Sequence, residues 1–355
     1  MNGFIFTPNI VEEQLDDLGL DDINLVIDHS LPGDAANLSE LALAALRGEI
    51  DLSIGSIFNY IASGLFAEMG ALFYLLRYML IIAILSAFFK AMTSSFKNTG
   101  ISKLGFYICY VMIITMLFRS FVLALGIMSQ MIGSITQLLM GSTPIIIGLL
   151  ASGGYVASAS AFAPILLFAS SFLTVFMDRL LVPLLISCAS ISLITYLSEE
   201  DRLDKFSEFL QKGISFGLKA VSLVFATVLG FARISTPIMN NIAIRGTRTA
   251  ISAVPVVGQT LSSAIDTVLY YSAALRGAVS AALLLAAALM TIVPIIQVLA
   301  FVVVYKLTAA LIAPICDERI VKAIDATGNY AALTLGVCVM AAFLFIFIVL
   351  ATLSL

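Results

Sequence analysis

Residues 277–315 read GAVSAALLLAAALMTIVPIIQVLAFVVVYKLTAALIAPI, a stretch with a single charge, Lys306, and an interior proline, Pro294. A bilayer core about 30 Å thick takes about 20 residues of helix, so this stretch is long enough for two short crossings. How it is divided decides the topology of the chain. Read as two crossings, it divides into 277–292 and 294–315, with Pro294 at the start of the second.

The rest of the sequence supports a membrane setting. Hydrophobic residues make up 61% and charged residues 11% of the 355-residue chain, against about 45–50% and about 25% in a soluble domain. Further apolar runs at 71–92, 104–126, 158–177, 181–198, 214–232 and 329–353 bring the count to eight. The fold class is therefore all-α, a polytopic transmembrane helical bundle of about eight crossings. Two segments, 143–152 and 254–272, are apolar but broken by proline and glycine, and read as re-entrant or interfacial elements.

Charge is unevenly placed. Eleven of the 22 acidic residues lie in the first 51, with one basic residue, Arg47, and the only histidine, His29. Such a head excludes a nucleic-acid surface, which needs clustered Lys and Arg. It shows no basic n-region followed by an apolar h-region, so no signal peptide is predicted within it. Lys90, Lys97 and Lys103 around the first short loop place that loop in the cytoplasm and the head outside it. Eight crossings then put 233–276 in the cytoplasm and 199–213 outside. The expected divisions are an acidic extracytoplasmic head at 1–68, a first transmembrane hairpin with an interfacial helix at 69–142, and two repeat units at 143–232 and 233–353, the second preceded by a basic amphipathic connector.

The repeat rests on spacing. TPIIIG at 143–148 resembles VPVVG at 254–258, with Pro144 and Pro255 111 residues apart, as are Pro183 and Pro294. EDRLDK at 200–205 resembles DERIVK at 317–322 after a six-residue insertion. Three crossings per unit would invert one copy relative to the other, an arrangement found in transporters with the site between the repeats. Because the matching stretch is split by Asp178-Arg179, the repeat also favours dividing 277–315.

The candidate pore or packing residues are Pro144, Gly148, Gly153, Gly154, Pro255, Gly258, Gln259, Ser263, Asp266 and Lys306. After Gly258, Gln259, Ser263 and Asp266 share one helical face, either lining a pore or wetted at the interface. Lys306 is the clearest intramembrane charge, to be satisfied by an acid, by the bundle interior or by snorkelling; Asp266 is a conceivable partner. Arg245 and Arg248, with Asn241, form a stripe suited to anionic lipid or an acidic partner segment. No enzyme is expected: a His-based triad within the membrane is excluded, GxxxxGK[ST] is absent, and Asp178-Arg179 and Asp317-Glu318 read as loop charges. The four cysteines have no metal or redox spacing, so no cofactor or metal is expected.

IRGTRTAISAVPVVGQTLSSAIDTVLYYSAALRGAV (244–279), the continuation to 315 with YKLTAAL-x-x-P at 305–314, and LLASGGYVASASAFAPILLF (149–168) resemble the stage III sporulation protein AE family of endospore-forming bacteria. The resemblance covers about 70–353. It implies an integral component on the mother-cell side of a secretion-like channel between mother cell and engulfed forespore. Its implied partners are other stage III sporulation membrane proteins, ring-forming channel subunits and an ATPase. Family members often begin with a signal peptide, a departure that bears on the sidedness of the head. The alternative from the residues alone is a secondary transporter with inverted repeats and a midplane site around Asp266 and Lys306.

Overall fold

The computed structural model describes residues 54–95, 99–152, 154–196, 208–227, 230 and 258–353, with side chains at 54–61, 93–95, 99–103, 157–158, 161–162, 169–170, 173–174, 258–276 and 351–353 left undescribed. The described chain is helical, as it must be where no water is available to pair backbone groups. Helix α1 (Ile54–Ser95) and α2 (Thr99–Ser152) are followed by α3 (Val156–Phe172), a π-helical segment (Leu173–Leu181) and α4 (Val182–Thr195). Then come α5 (Glu208–Thr227), α6 (Gly258–Ile312) and α7 (Glu318–Leu353).

Six of these stretches are long and apolar enough to cross a membrane: Ala62–Met92, Leu104–Ser152, Val175–Thr195, Glu208–Thr227, Gly277–Ile312 and Glu318–Leu350. The antiparallel pair α6–α7 is central. Its turn closes with the Cys316 N–H donating to Ile312 O (2.9 Å). One core joins α2, the π-helical segment, α4 and α7 through Met128, Leu139, Met177, Leu185 and Phe345. A second joins α1, α2, α6 and α7 through Met79, Ile113, Tyr305 and Ile324. Outward positions of α1 and α2 are apolar, among them Phe73, Ile84, Phe88, Ile108 and Leu123, as suits a surface turned to hydrocarbon.

The registers are set by particular contacts. The Phe89 ring fills the space beside Gly105, where a Cβ would stand 2.7 Å from the ring, so α1 and α2 form an antiparallel hairpin. Gln297 meets Glu68 and Cys316 Sγ meets Ala83 O, so α1 runs parallel to α6.

Three expected breaks are absent. Residues 277–315 do not form two crossings, because α6 runs unbroken with Pro294 inside it. A proline in a helix interior costs about 3 kcal/mol. A full break in lipid would strand several backbone groups at several kcal/mol each. No glycine or asparagine stands beside Pro294 to form a turn, and Thr291 adds a side-chain bond to Ala287 O at 2.8 Å. Likewise Pro144 lies within α2, so 143–152 continues that helix; Thr143 Oγ1 donates back to Leu139 O (2.6 Å). The helix ends instead at Ser152, and Gly154 has φ 79°, a conformation glycine adopts without strain. At Asp178-Arg179 the expected hairpin turn is absent, and the chain passes on through the π-helical segment.

Candidate functional site

The outer edge of α6–α7 carries an ion pair. Lys306 Nζ donates to Asp325 Oδ1 at 2.6 Å and to Asn329 Oδ1 at 2.7 Å, with Asp325 backbone O at 3.4 Å. Asp325 and Asn329 are four residues apart, on one face of α7. Gly328 lets the two helices approach: a Cβ there would sit 3.2 Å from Lys306 Cε and 3.3 Å from Tyr305 Cβ. The pair is half-exposed, at 40% for Lys306 and 47% for Asp325.

The neighbouring residues point the other way. Tyr305, beside Lys306, is fully buried and donates to Ser120 Oγ at 2.7 Å. Tyr330, beside Asn329, is fully buried, shares a hydrogen bond with Ser192 and accepts one from Gln211 Nε2 at 2.8 Å. These neutral bonds tie α2 to α6, and α4 and α5 to α7. A buried hydroxyl of this kind is usually paired, since an unpaired one costs about 1–3 kcal/mol.

A second polar level lies deeper. Gln297 Nε2 donates to Glu68 Oε1 at 3.1 Å, and Ser129 Oγ donates to Asp178 Oδ1. Glu68 is nine residues before Arg77, and Gln297 nine before Lys306 (77 − 68 and 306 − 297); with α1 and α6 parallel, Arg77 shares the level of Lys306. Arg119 does too, being next to Ser120. Nine residues of helix set the levels about 13 Å apart.

The α6–α7 turn is anchored to α1 by Lys90 Nζ and Asp317 Oδ2 at 2.7 Å. Burial pushes the Asp317 carboxyl up, but the Lys90 hydrogen bond, the Arg319 backbone N–H and both positive charges together hold it below its ordinary value. Tyr196, at the end of α4, packs on the same core as Ile320. The end of α1, the end of α4, the start of α5 and the α6–α7 turn thus share one end of the bundle. Gln211 reaches Tyr330 and Ser222 meets Met340, so α5 runs parallel to α7 and its described start, 208–213, lies on the side of that turn, not opposite the end of α1 as expected; residues 199–207 lie outside the described residues.

The predicted site residues are not brought together. Pro144 and Gly148 are exposed along α2, and a Cβ at Gly148 would meet open space. Gly258 begins α6. Gln259, Ser263 and Asp266 lie within α6, but their side chains are outside the described residues, as are Gly153, Pro255, Arg245 and Arg248 altogether. Asp266 and Lys306 are 40 residues apart on one unbroken helix (306 − 266), about 60 Å. They cannot form one site; the partner of Lys306 is Asp325. Sequence reasoning missed Asp325 and Asn329, though their spacing in α7 was a readable signal. Among the described residues no three His, Cys, Asp or Glu side chains could hold a metal ion. A cleft of about 250 Å³ lined by Pro164, Ile165, Phe168, Val224 and Phe225 is wholly apolar; it has nothing to orient a polar ligand.

Long apolar helices and an outward apolar surface define a multi-pass helical membrane protein. The family model for stage III sporulation protein AE matches residues 36–355, and the chain belongs to that family. A relative from Bacillus subtilis (strain 168), "Stage III sporulation protein AE", is 26% identical over 275 residues, 76% of this chain and 67% of that protein. No solved structure matches.

Proposed function

We propose that the chain is an integral membrane component of the channel between mother cell and engulfed forespore, acting as a conducting or scaffolding subunit rather than a catalyst. The observation that carries the proposal is the family match over residues 36–355. The bundle supports it: six stretches able to span are far more than an anchor requires. Its partners are other stage III sporulation membrane proteins, ring-forming channel subunits and the associated ATPase, with membrane lipid around it.

The end that carries Lys90, Arg319 and Lys322 is the cytoplasmic end on this reading, following the excess of Lys and Arg in cytoplasmic loops. The acidic head then lies outside the cytoplasm. The transporter alternative loses its Asp266–Lys306 site to the length of α6.

The test is deletion of the gene in an endospore former. Engulfed forespores should fail to mature, the defect should be repaired by the full-length chain, and the tagged chain should copurify with the ring-forming subunits. Normal spore yield in the deletion strain would contradict the proposal.

A further inference from the structure

At the level of Lys306 the two sides of the bundle differ in chemistry. On hairpin α1–α2, the outer side chains around Arg77 and Arg119 are apolar: Phe73, Ile81 (54% exposed), Met112 (52%) and Leu123. On α7 the outer side chains at that level are Asp325 and Asn329, joined by Lys306 from α6 beside the exposed Leu307; Lys322 and Glu318, which pair at 2.8 Å, continue the α7 face toward the turn. Positions 318, 322, 325 and 329 follow helical spacing and make one face of α7. The opposite face, Ile320, Ala323, Ile324 and Thr327, is buried.

No single medium suits both sides. Hydrocarbon against α7 would surround charges, at a cost that reaches roughly 2.5–3.5 kcal/mol each at a helix centre on insertion scales and is smaller toward a helix end. Water against the hairpin would wet a broad apolar surface, at about 25 cal/mol for each Å². Arg77 and Arg119 do not break the contrast, because single long side chains reach outward along an apolar wall; Arg77 already lies over the Tyr78 ring, 5.4 Å from its centre.

We infer that the outer face of α7 at Asp325 and Asn329, together with Lys306, lines a water-filled passage that opens at the α6–α7 turn, while hairpin α1–α2 faces lipid. The inference rests on the channel reading and deepens it. The passage does not run through the single bundle, whose interior at this level is filled by Phe121, Tyr305 and Tyr330. One chain therefore supplies one wall, and neighbouring subunits supply the others. At this level the wall carries Lys306 against Asp325, so its charges cancel. It favours neither cations nor anions and suits small polar solutes of either sign.

The experiment uses the full chain in sporulating cells, with the four native cysteines replaced. Single cysteines at Asp325, Asn329, Ile81 and Met112 are probed with a membrane-impermeant thiol reagent in vesicles of both orientations. Asp325→Cys and Asn329→Cys should label roughly tenfold faster or more than Ile81→Cys and Met112→Cys, because only a hydrated, ionisable thiol reacts readily. Asn329→Cys keeps the Lys306–Asp325 pair, so the test survives if Asp325→Cys misfolds. Uniformly slow labelling would overturn the inference, placing the α7 face in lipid or sealed protein. Uniformly fast labelling would also overturn it, placing this part of the bundle in bulk water. Labelling is independent of spore yield. A deletion strain that sporulates normally strikes the channel reading, whereas flat labelling in a sporulation-dependent strain strikes only the wall.

Discussion

Tyr305 and Tyr330 on one side, and Lys306 and Asn329 on the other, are sequence neighbours that meet opposite surroundings. The tyrosines turn inward, are fully buried and end in neutral hydrogen bonds to Ser120, Ser192 and Gln211. The lysine and asparagine turn outward, half-exposed or more, and join a charged pair. The inward residues hold helices together. Because a charge is satisfied here at the rim rather than in the core, the outward residues concern whatever lies beside the bundle. Stability and function should therefore separate between adjacent positions.

The largest effect is expected inside. Tyr330→Ala removes a large ring and strands Ser192 and Gln211, and should cost about 3–5 kcal/mol, measured by thermal unfolding of the purified protein in detergent. Tyr330→Phe, which removes only the hydroxyl, should cost about 1–3 kcal/mol. Gly328→Val tests the join between the two sets. Its branches would meet Lys306 Cδ and Tyr305 Cβ, and overpacking of this kind costs about 1–3 kcal/mol. In a Lys306→Ala background the cost should fall only in part, since Tyr305 remains.

Outside, Lys306→Met should change unfolding stability by less than about 1 kcal/mol, as exposed pairs do, yet abolish spore formation at normal protein level. Equal losses of stability in Lys306→Met and Tyr330→Phe would break the contrast. The smallest effect belongs to Lys90–Asp317. Because the folded carboxyl titrates below its ordinary value, the pair's contribution is complete above the unfolded value of about 4 and is lost as pH falls through the folded one. With Lys90 largely exposed, it amounts to about 0.2–1 kcal/mol. Asp317→Asn should flatten that part of the stability profile below about pH 5, and an unchanged profile would remove the pair from the account.

Much of this was legible in the sequence and some was not, for physical reasons. Apolar composition and run length gave the helical membrane class, because the bilayer sets the length of any spanning helix. Breaks were misjudged because proline was read as a boundary. Pro144 and Pro294 both lie inside long helices, where neighbouring hydroxyls and lipid favour continuity. Pro183, aligned with Pro294 in the repeat, instead falls in the first turn of α4 after the π-helical segment, so equal spacing did not bring equal geometry. Lys306 was recognisable as a charge needing a partner. Asp266, on the polar stripe after Gly258, was a conceivable partner, but the tight turn at 313–317 brings Asp325, 19 residues on, beside Lys306. The pairings of Tyr330 with Ser192 and Gln211 span 138 and 119 residues, and no local pattern encodes them.

The most direct test of the inward–outward contrast uses two adjacent positions, Asn329→Cys and Tyr330→Cys, in the full chain within sporulating cells. One residue of helix rise separates them by about 1.5 Å in depth, so depth cannot account for a difference in reaction with an impermeant thiol reagent. The account predicts rapid labelling at 329 and almost none at 330. Equal labelling at the two positions, whether fast or absent, would contradict it.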